Sequence, residues 1–245
     1  MLKKFVRTMA YIGGIVTGFY LFASAPGIHK KTKWQHLTGW DYAHRGLYDN
    51  EHGIPENSMA AFRRAVDKGY GIELDVHLTA DNQLVVFHDD TLTRMCGMNK
   101  KISSFLYSDL MQLRLLGTEE GIPLFKDVLE LIDGKVPLII ELKVDGSNQN
   151  LLCPLVWQLL SRYKGDYCIE SFHPFVLQWF KRHEPQVVRG QLSCNFFKEN
   201  PHCDIVLFLM SNLMTNFFTH PDFIAYKYLD LDNPAVIYTG SCSTL

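Results

Sequence analysis

The sequence predicts an α/β fold, a (β/α)8 barrel of the TIM type that is incomplete at its C-terminal end and follows one N-terminal transmembrane helix. Three observations lead there. Strand and helix signals alternate from about residue 40 to residue 228, the pattern of parallel βαβ units. No G-x-G-x-x-G or Walker loop is present, which removes the main sign of a nucleotide-binding doubly wound sheet. An uncharged run extends from Thr8 to Ile28, enough for a helix of about 30 Å, one bilayer core.

The N-terminal run is flanked by Lys3, Lys4 and Arg7 on one side and by Lys30, Lys31 and Lys33 on the other. With basic residues at both ends, the positive-inside rule does not orient it. A cleavable signal peptide competes, because Ala23-Ser24-Ala25 has small-x-small character. Pro26 would follow that cut and hinder it, so a retained anchor is favoured. Gly14 and Gly18 form a GxxxG pattern, which arises easily by chance in a glycine-rich span. The expected organisation is an anchor over 1–28, a linker over 29–39, a barrel domain over 40–228 and an atypical tail over 229–245. Cys96, Cys153, Cys168, Cys194, Cys203 and Cys242 show neither a CxxC nor a disulfide framework. They read as reduced thiols, which puts the barrel domain on the cytoplasmic side of the membrane. The net charge of −2 gives no basic field, so nucleic acid is not an expected partner. A chain of 245 residues, 47% hydrophobic, has enough apolar side chains for one sizeable core.

Within the domain, "DYAHRG" (Asp41–Gly46) reads as a strand ending at a glycine. "PENSMAAFRRAVDKG" is a helix that Asn57 or Ser58 can cap and Gly69 ends, with Met59, Phe62, Ala65 and Val66 as its apolar stripe. "GIELDV" and "LVVFHD" are strands, taken as neighbours in the barrel. Residues 103–116 and 124–133 read as helices, Val136–Lys143 as a strand, and 149–163 as a helix. The strand "YCIESF", a helix over 174–183, the strand "VVRGQLS", a helix over 203–218 and the strand "DFIAYKY" complete the domain. After Tyr228, "AVIYT" is strand-like with no room for a crossover helix before it, so the eighth strand and its helix are expected to be missing or replaced. An open seam between first and last strands follows.

The chemistry lies in the strands. Glu73 and Asp75 are two apart and share one face of "GIELDV", while Ile72, Leu74 and Val76 share the other. Glu141 and Lys143 repeat this spacing after Leu138-Ile139-Ile140. A solvated polar face is the bland alternative, but both faces of a parallel sheet are normally covered. Charges at the ends of several such strands fit the C-terminal mouth of a barrel. Glu73, Asp75 and Glu141 make an all-oxygen set suited to a hard divalent cation, Mg²⁺ or Ca²⁺, rather than to zinc. His44 and His88 each end a strand and titrate near neutrality, as a general acid and base require. Arg45 and Lys143 supply the fixed positive charge that a phosphoryl oxygen needs. His77 is a weaker candidate for the metal. Asp89 and Asp90 read as caps or turn formers after the strand. Phe172, Trp179, Phe196 and Phe197 are candidates for lining an alcohol-group pocket, with core packing the commoner role for each.

"HRG" at 44–46, "PENSMAAF" at 55–62, "IELDVHLTADNQLVVFHDDTLTR" at 72–94 and "IIELK" at 139–143 closely resemble the glycerophosphodiester phosphodiesterases, over about residues 40–230. The resemblance implies a TIM-type barrel and a divalent metal held by Glu73, Asp75 and Glu141. It implies His44 and His88 as the acid/base pair, Arg45 and Lys143 on the substrate phosphate, and Glu56 supporting the site beside the metal and His44. A glycerol hydroxyl would attack phosphorus first, and water would then open the cyclic phosphate to release glycerol 3-phosphate and an alcohol. Three readings stay open: a membrane-anchored phosphodiesterase on glycerophosphodiesters, a truncated inactive or partner-binding relative, and a lysophospholipase D-like enzyme on lipid substrates.

Overall fold

The structure, a computed structural model, describes residues 1–25, 27, 34–199, 204–239 and 242–244. Pro26, Ile28, Lys30, Lys31, Lys33 and Cys203, on which parts of the reading above rest, lie outside them. Helix α1 (Leu2–Ser24) comes first, then strand β1 (Tyr42–His44) and helix α2 (Met59–Lys68). The Ser58 hydroxyl accepts from the Ala61 N–H at 3.1 Å and caps α2, and Gly69 ends it at φ +72°. Strands β2 (Gly71–Leu78) and β3 (Leu84–Val86) follow, then short helices α3 (Thr93–Cys96) and α4 (Tyr107–Leu110) and helix α5 (Phe125–Ile132). Strand β4 (Leu138–Leu142), helix α6 (Gln149–Leu160), strand β5 (Tyr167–Ser171) and helix α7 (Pro174–His183) continue the alternation. Beyond them come β6 (Val188–Ser193), α8 (Phe196–Glu199), α9 (Ile205–Ser211), α10 (Asn216–Thr219), β7 (Phe223–Tyr226), α11 (Pro234–Thr239) and β8 (Cys242–Thr244).

The chain forms two compact units, Lys30–Val188 and Met1–His29 with Arg189–Leu245. In the first, β1, β2, β4 and β5 are parallel neighbours in that order. Every residue of β2 is buried. Ile72, Leu74 and Val76 join Leu138, Ile140 and Leu142 and the helix residues Phe62, Val128 and Ile132 in one apolar cluster. Each fully buried Ile or Leu stabilises the fold by about 1.5–3 kcal/mol. The other face of β2 carries Glu73, Asp75 and His77, so the covered-sheet argument made from the sequence holds.

Two expectations fail in this unit. Strand β3 is not a parallel barrel strand, for it pairs antiparallel with β2, Val76 opposite Val86 and Leu78 opposite Leu84. The reason is connection length. Only residues 79–83 join the strands, a hairpin-sized link, whereas a parallel return takes about a dozen residues or more. Residues 103–116 are not one helix either. They break into turns around Tyr107–Leu110, and Leu110 and Leu115 insert into a small cluster with Val85, Phe87 and Leu92.

The second unit holds β6, β7 and β8 as parallel neighbours, with Ile224 opposite Cys242. The expectation for the tail is corrected here. Residues 235–239, read as strand-like "AVIYT", lie in helix α11, and a three-residue strand follows it parallel to β7. Pro234 starts the helix, and the Asn233 side chain accepts from the Ala235 N–H at 2.9 Å, so a cap at the boundary overrides the β propensity of Val236 and Ile237. Ala235 and Val236 then bury against Leu213, Ile224 and Tyr226. Helix α1 is the one described helix long and apolar enough to cross a membrane. Its Phe5, Ile12, Ile15 and Phe19 are exposed, whereas Ala23 and Ser24 at its end are buried. The Tyr20 hydroxyl donates to the Asn212 side chain at 3.3 Å, and the Asn216 amide donates to the Ser24 carbonyl at 2.9 Å.

Gly46 is the glycine on which the first unit turns. It has φ +79°, and a Cβ there would lie 3.0 Å from Ala61 and Phe62 of α2. Gly46→Ala is expected to cost about 1–3 kcal/mol through overpacking and left-handed strain, read as a fall in the urea midpoint.

Candidate active site

Two parallel strands, β2 and β4, bring three acidic residues together beside the end of β1. Glu73 stands opposite His44 across β1 and β2, and Asp75 stands opposite Glu141 across β2 and β4. One carboxylate oxygen from each of Glu73, Asp75 and Glu141 lies within 4.8 Å of the others, and all three residues are buried. Burial raises Glu73 well above the usual carboxylate range, and neighbouring Asp75 adds to the effect. Burial likewise pushes Glu141 up to about 7, against the pull of Lys143. Asp75 resists the same burial and stays low, because Lys143, His88 and the Asn57 amide stabilise its charge. Lys143 Nζ lies 3.0 Å from Asp75 Oδ1 and 2.8 Å from Glu141 Oε2. Burial opposes its charge, yet these two carboxylates hold its pKa above the ordinary lysine value.

A second layer links both histidines. Arg45 follows β1 with φ +58°, a strained backbone for a non-glycine residue. That geometry lets its N–H donate to Glu73 Oε2 at 3.0 Å while its guanidinium donates to Glu56 Oε1 at 2.8 Å. Asn57, at φ +54°, donates its N–H to the Arg45 carbonyl at 2.9 Å and its side-chain amide to Asp75 Oδ2 at 2.9 Å. Arg94 grips both oxygens of Glu56 at 2.7 and 2.8 Å and reaches Asp89 Oδ2 at 2.8 Å. Asp89 Oδ1 in turn lies 2.6 Å from His88 Nδ1. Burial opposes the charges of Glu56 and Asp89, but Arg94 holds both below the usual range, Asp89 at about 2. Burial, helped by nearby Arg45, lowers His44, and burial, helped by Lys143, lowers His88. Both imidazoles therefore hold a proton less readily than a free histidine, and His44 Nε2 sits 3.7 Å from Glu73 Oε2.

All eight candidates from the sequence, His44, Arg45, Glu56, Glu73, Asp75, His88, Glu141 and Lys143, belong to the first compact unit. Arg45 and Lys143, expected on a phosphate, rest here on Glu56 and on Asp75 and Glu141. His77 is buried with Nε2 3.3 Å from the His88 carbonyl, outside the three-carboxylate cluster. Trp179 packs against the core and stacks on His183 at 4.6 Å, as the core-packing alternative holds. Arg94 and Glu170 are not among the expected site residues, Asp89 is expected as a cap or turn former, and Asn57 or Ser58 as the helix cap. Asp89 instead orients His88, and Asn57 orients Asp75, while Ser58 caps the helix. A signal for Glu170 was present, since it follows Cys168-Ile169 near the end of its strand as Glu141 follows Ile139-Ile140. A buried, all-oxygen set with more carboxylates than local cations fits a hard divalent ion.

The fold and site define a parallel α/β protein with a buried acidic cluster beside His44, which ends β1. Residues 44–202 match the glycerophosphoryl diester phosphodiesterase family, and the chain belongs to it. It is 32% identical over 172 residues to the lysophospholipase D GDPD1 of Rattus norvegicus, covering 65% of this chain and 52% of that protein. It is 34% identical over 166 residues to a glycerophosphodiester phosphodiesterase of Caldanaerobacter subterraneus, covering 61% of this chain and 65% of that one. The chain thus spans about half the length of the mammalian relatives it matches. A glycerophosphodiester phosphodiesterase structure from Parabacteroides distasonis superposes with a TM-score of 0.62 at 26% identity, over 84% of this chain and 83% of that one. The Oleispira antarctica phosphodiesterase structure, in complex with the product sn-glycerol-3-phosphate, shares the fold with a TM-score of 0.66 at 22% identity, over 86% and 84% of the two chains.

Glu56 is 5% exposed and neutralises two guanidinium groups. Glu56→Gln keeps its shape and removes the charge. The expected loss of stability is about 1.5–3 kcal/mol, measured by urea denaturation.

Proposed function

We propose that this chain is a metal-dependent phosphodiesterase that converts glycerophosphodiesters to glycerol 3-phosphate and an alcohol, working on a (β/α)8-type barrel held at a membrane by α1. The observation that carries the reading is the convergence of Glu73, Asp75 and Glu141 within 4.8 Å, in a family member whose His44 lies 3.7 Å from Glu73. Those three carboxylates would hold a Mg²⁺ or Ca²⁺ ion, which when bound neutralises a phosphoryl oxygen and stabilises developing charge.

The chain's own groups do the rest. A neutral imidazole, His44 or His88, takes the proton from the attacking glycerol hydroxyl, and the other imidazole, protonated, gives its proton to the leaving alcohol oxygen. Their roles exchange when water opens the cyclic phosphate. Asp89 fixes the His88 ring through Nδ1 and leaves Nε2 for proton transfer. Arg45 and Lys143 bind the phosphate as its negative charge enters, and Glu56 holds Arg45 in place through the hydrogen bond at 2.8 Å.

Lysophospholipase D-type turnover is the second reading. The mammalian relatives carrying that name support it, as do Phe172 and Phe175, exposed just beyond the C-terminal end of β5. Release of choline from lysophosphatidylcholine, set beside release from glycerophosphocholine, separates the two. The third reading, an inactive or partner-binding relative, predicts a folded chain that turns over neither.

With glycerophosphocholine and the purified full-length chain, glycerol 3-phosphate should appear only with divalent metal. His44→Ala and His88→Ala should each lower kcat by about 10²–10⁴. Turnover surviving both substitutions would overturn the mechanism. Cation binding requires Glu141 and Glu73, both raised by burial, to ionise, so the affinity should fall by at least about tenfold for each pH unit below the Glu141 value of about 7. A titration of Mg²⁺ binding at pH 5.5, 6.5 and 7.5 checks this.

A further inference from the structure

The row of carboxylates at the strand ends does not stop at three. Glu141 stands opposite Asp75 on one side and opposite Glu170 on the other, so Asp75, Glu141 and Glu170 form one line across β2, β4 and β5. Residues directly opposite on adjacent strands project from the same face of the sheet. Glu170 is only 1% exposed, and its Oε2 accepts no hydrogen bond from any protein group. The donors nearest the cluster are engaged elsewhere. Lys143 rests on Asp75 and Glu141, the Asn57 amide on Asp75, and Arg45 and Arg94 on Glu56. A buried carboxylate oxygen without a donor is costly, and a native fold keeps one where a ligand supplies the donor. Glu170 is also not among the three residues whose oxygens close to within 4.8 Å, which places it one step behind the ligands.

We propose that Glu170 is a positioning residue of the cation site, its carboxylate accepting a hydrogen bond from a water carried on the bound cation and adding a fourth negative charge behind Glu73, Asp75 and Glu141. This rests on the reading of those three residues as a cation site. Outer partners of this kind orient the groups around a metal and tune its affinity, and their loss typically costs about 10–100-fold. Glu170 thus fixes where the cation's solvent side faces and raises its affinity without ligating it.

The test is thermal unfolding of the full-length chain titrated with Mg²⁺ and, separately, with Ca²⁺, comparing wild type with Glu170→Gln and Glu170→Asp. A cation that binds only the folded state raises Tm as the logarithm of one plus its concentration over Kd, so the binding midpoint fitted from that rise reports affinity without any turnover. Glu170→Gln should move that midpoint about 10–100-fold higher, and Glu170→Asp, which keeps the charge, should move it less. A merely structural role would shift Tm equally at every cation concentration and leave the midpoint in place, which would overturn the proposal. If Glu170→Gln fails to fold, the Glu170→Asp midpoint decides alone, and an unchanged value overturns the proposal. If wild type itself shows no cation-dependent stabilisation, the three-carboxylate cation site fails as well. The two failures are thus distinguishable.

Discussion

The constraint on which the rest depends is the burial of like charge. Four carboxylates, Glu73, Asp75, Glu141 and Glu170, lie out of water along three neighbouring parallel strands. Removing a carboxylate from water costs several kcal/mol even after relaxation, and the cost is met only where opposite charges and donors are close and well placed. Lys143 answers part of it directly by bridging Asp75 and Glu141. The remaining imbalance shows in protonation, since Glu73, Glu141 and Glu170 are all pushed up by burial and by one another. A cluster of this kind is poised for a cation by its own electrostatics.

Around it the chain spends two non-glycine left-handed residues, Arg45 and Asn57, each straining the backbone by about 1–3 kcal/mol. Arg45 sends its backbone N–H to Glu73 and its guanidinium to Glu56, and Asn57 sends its side-chain amide to Asp75. The second layer then runs as alternating charge from Arg45 through Glu56, Arg94 and Asp89 to His88. Each acid in that chain is held low by the arginines, so the His88 ring keeps a fixed carboxylate partner at Nδ1, whereas the His44 side chain is exposed. The arrangement ties the two histidines, far apart in sequence, to one rigid frame.

The second unit works by different physics. Its core is small, built of Leu213, Ile224, Tyr226, Ala235 and Val236, with Tyr20 of the N-terminal helix packed against it. Polar bonds finish the job: the Tyr226 hydroxyl donates to the Ser211 carbonyl at 2.8 Å, and Asn233 donates to the same carbonyl at 3.1 Å. The last turn of α1 is therefore part of a folded unit, while the rest of that helix keeps its apolar side chains exposed.

The sequence alone determined the period-2 placement of Glu73 and Asp75, the repeat of that placement at Glu141 and Lys143, and the alternation that makes the strands parallel. These follow from local rules, since side chains alternate along a strand and charged residues at strand ends mark one edge of a sheet. It determined α2 for the same reason, because its Ser58 cap and its apolar stripe are local. Tertiary structure decided what depends on partners distant in the chain. Asp89 became the support of His88 because Arg94 holds it, and Asn57 became a donor to Asp75 because its backbone turns left-handed. Glu170 took its place because β5 pairs in register with β4. The pairing of β3 was also decided by a tertiary constraint, the reach of a five-residue link, although its length could be counted in the sequence. In the tail, Val236 and Ile237 are helical because burial of Ala235 and Val236 against Ile224 and Tyr226 and a cap at Asn233 outweigh the β preference of branched side chains. Local propensity and spacing specify elements and faces, and long-range packing specifies which faces meet.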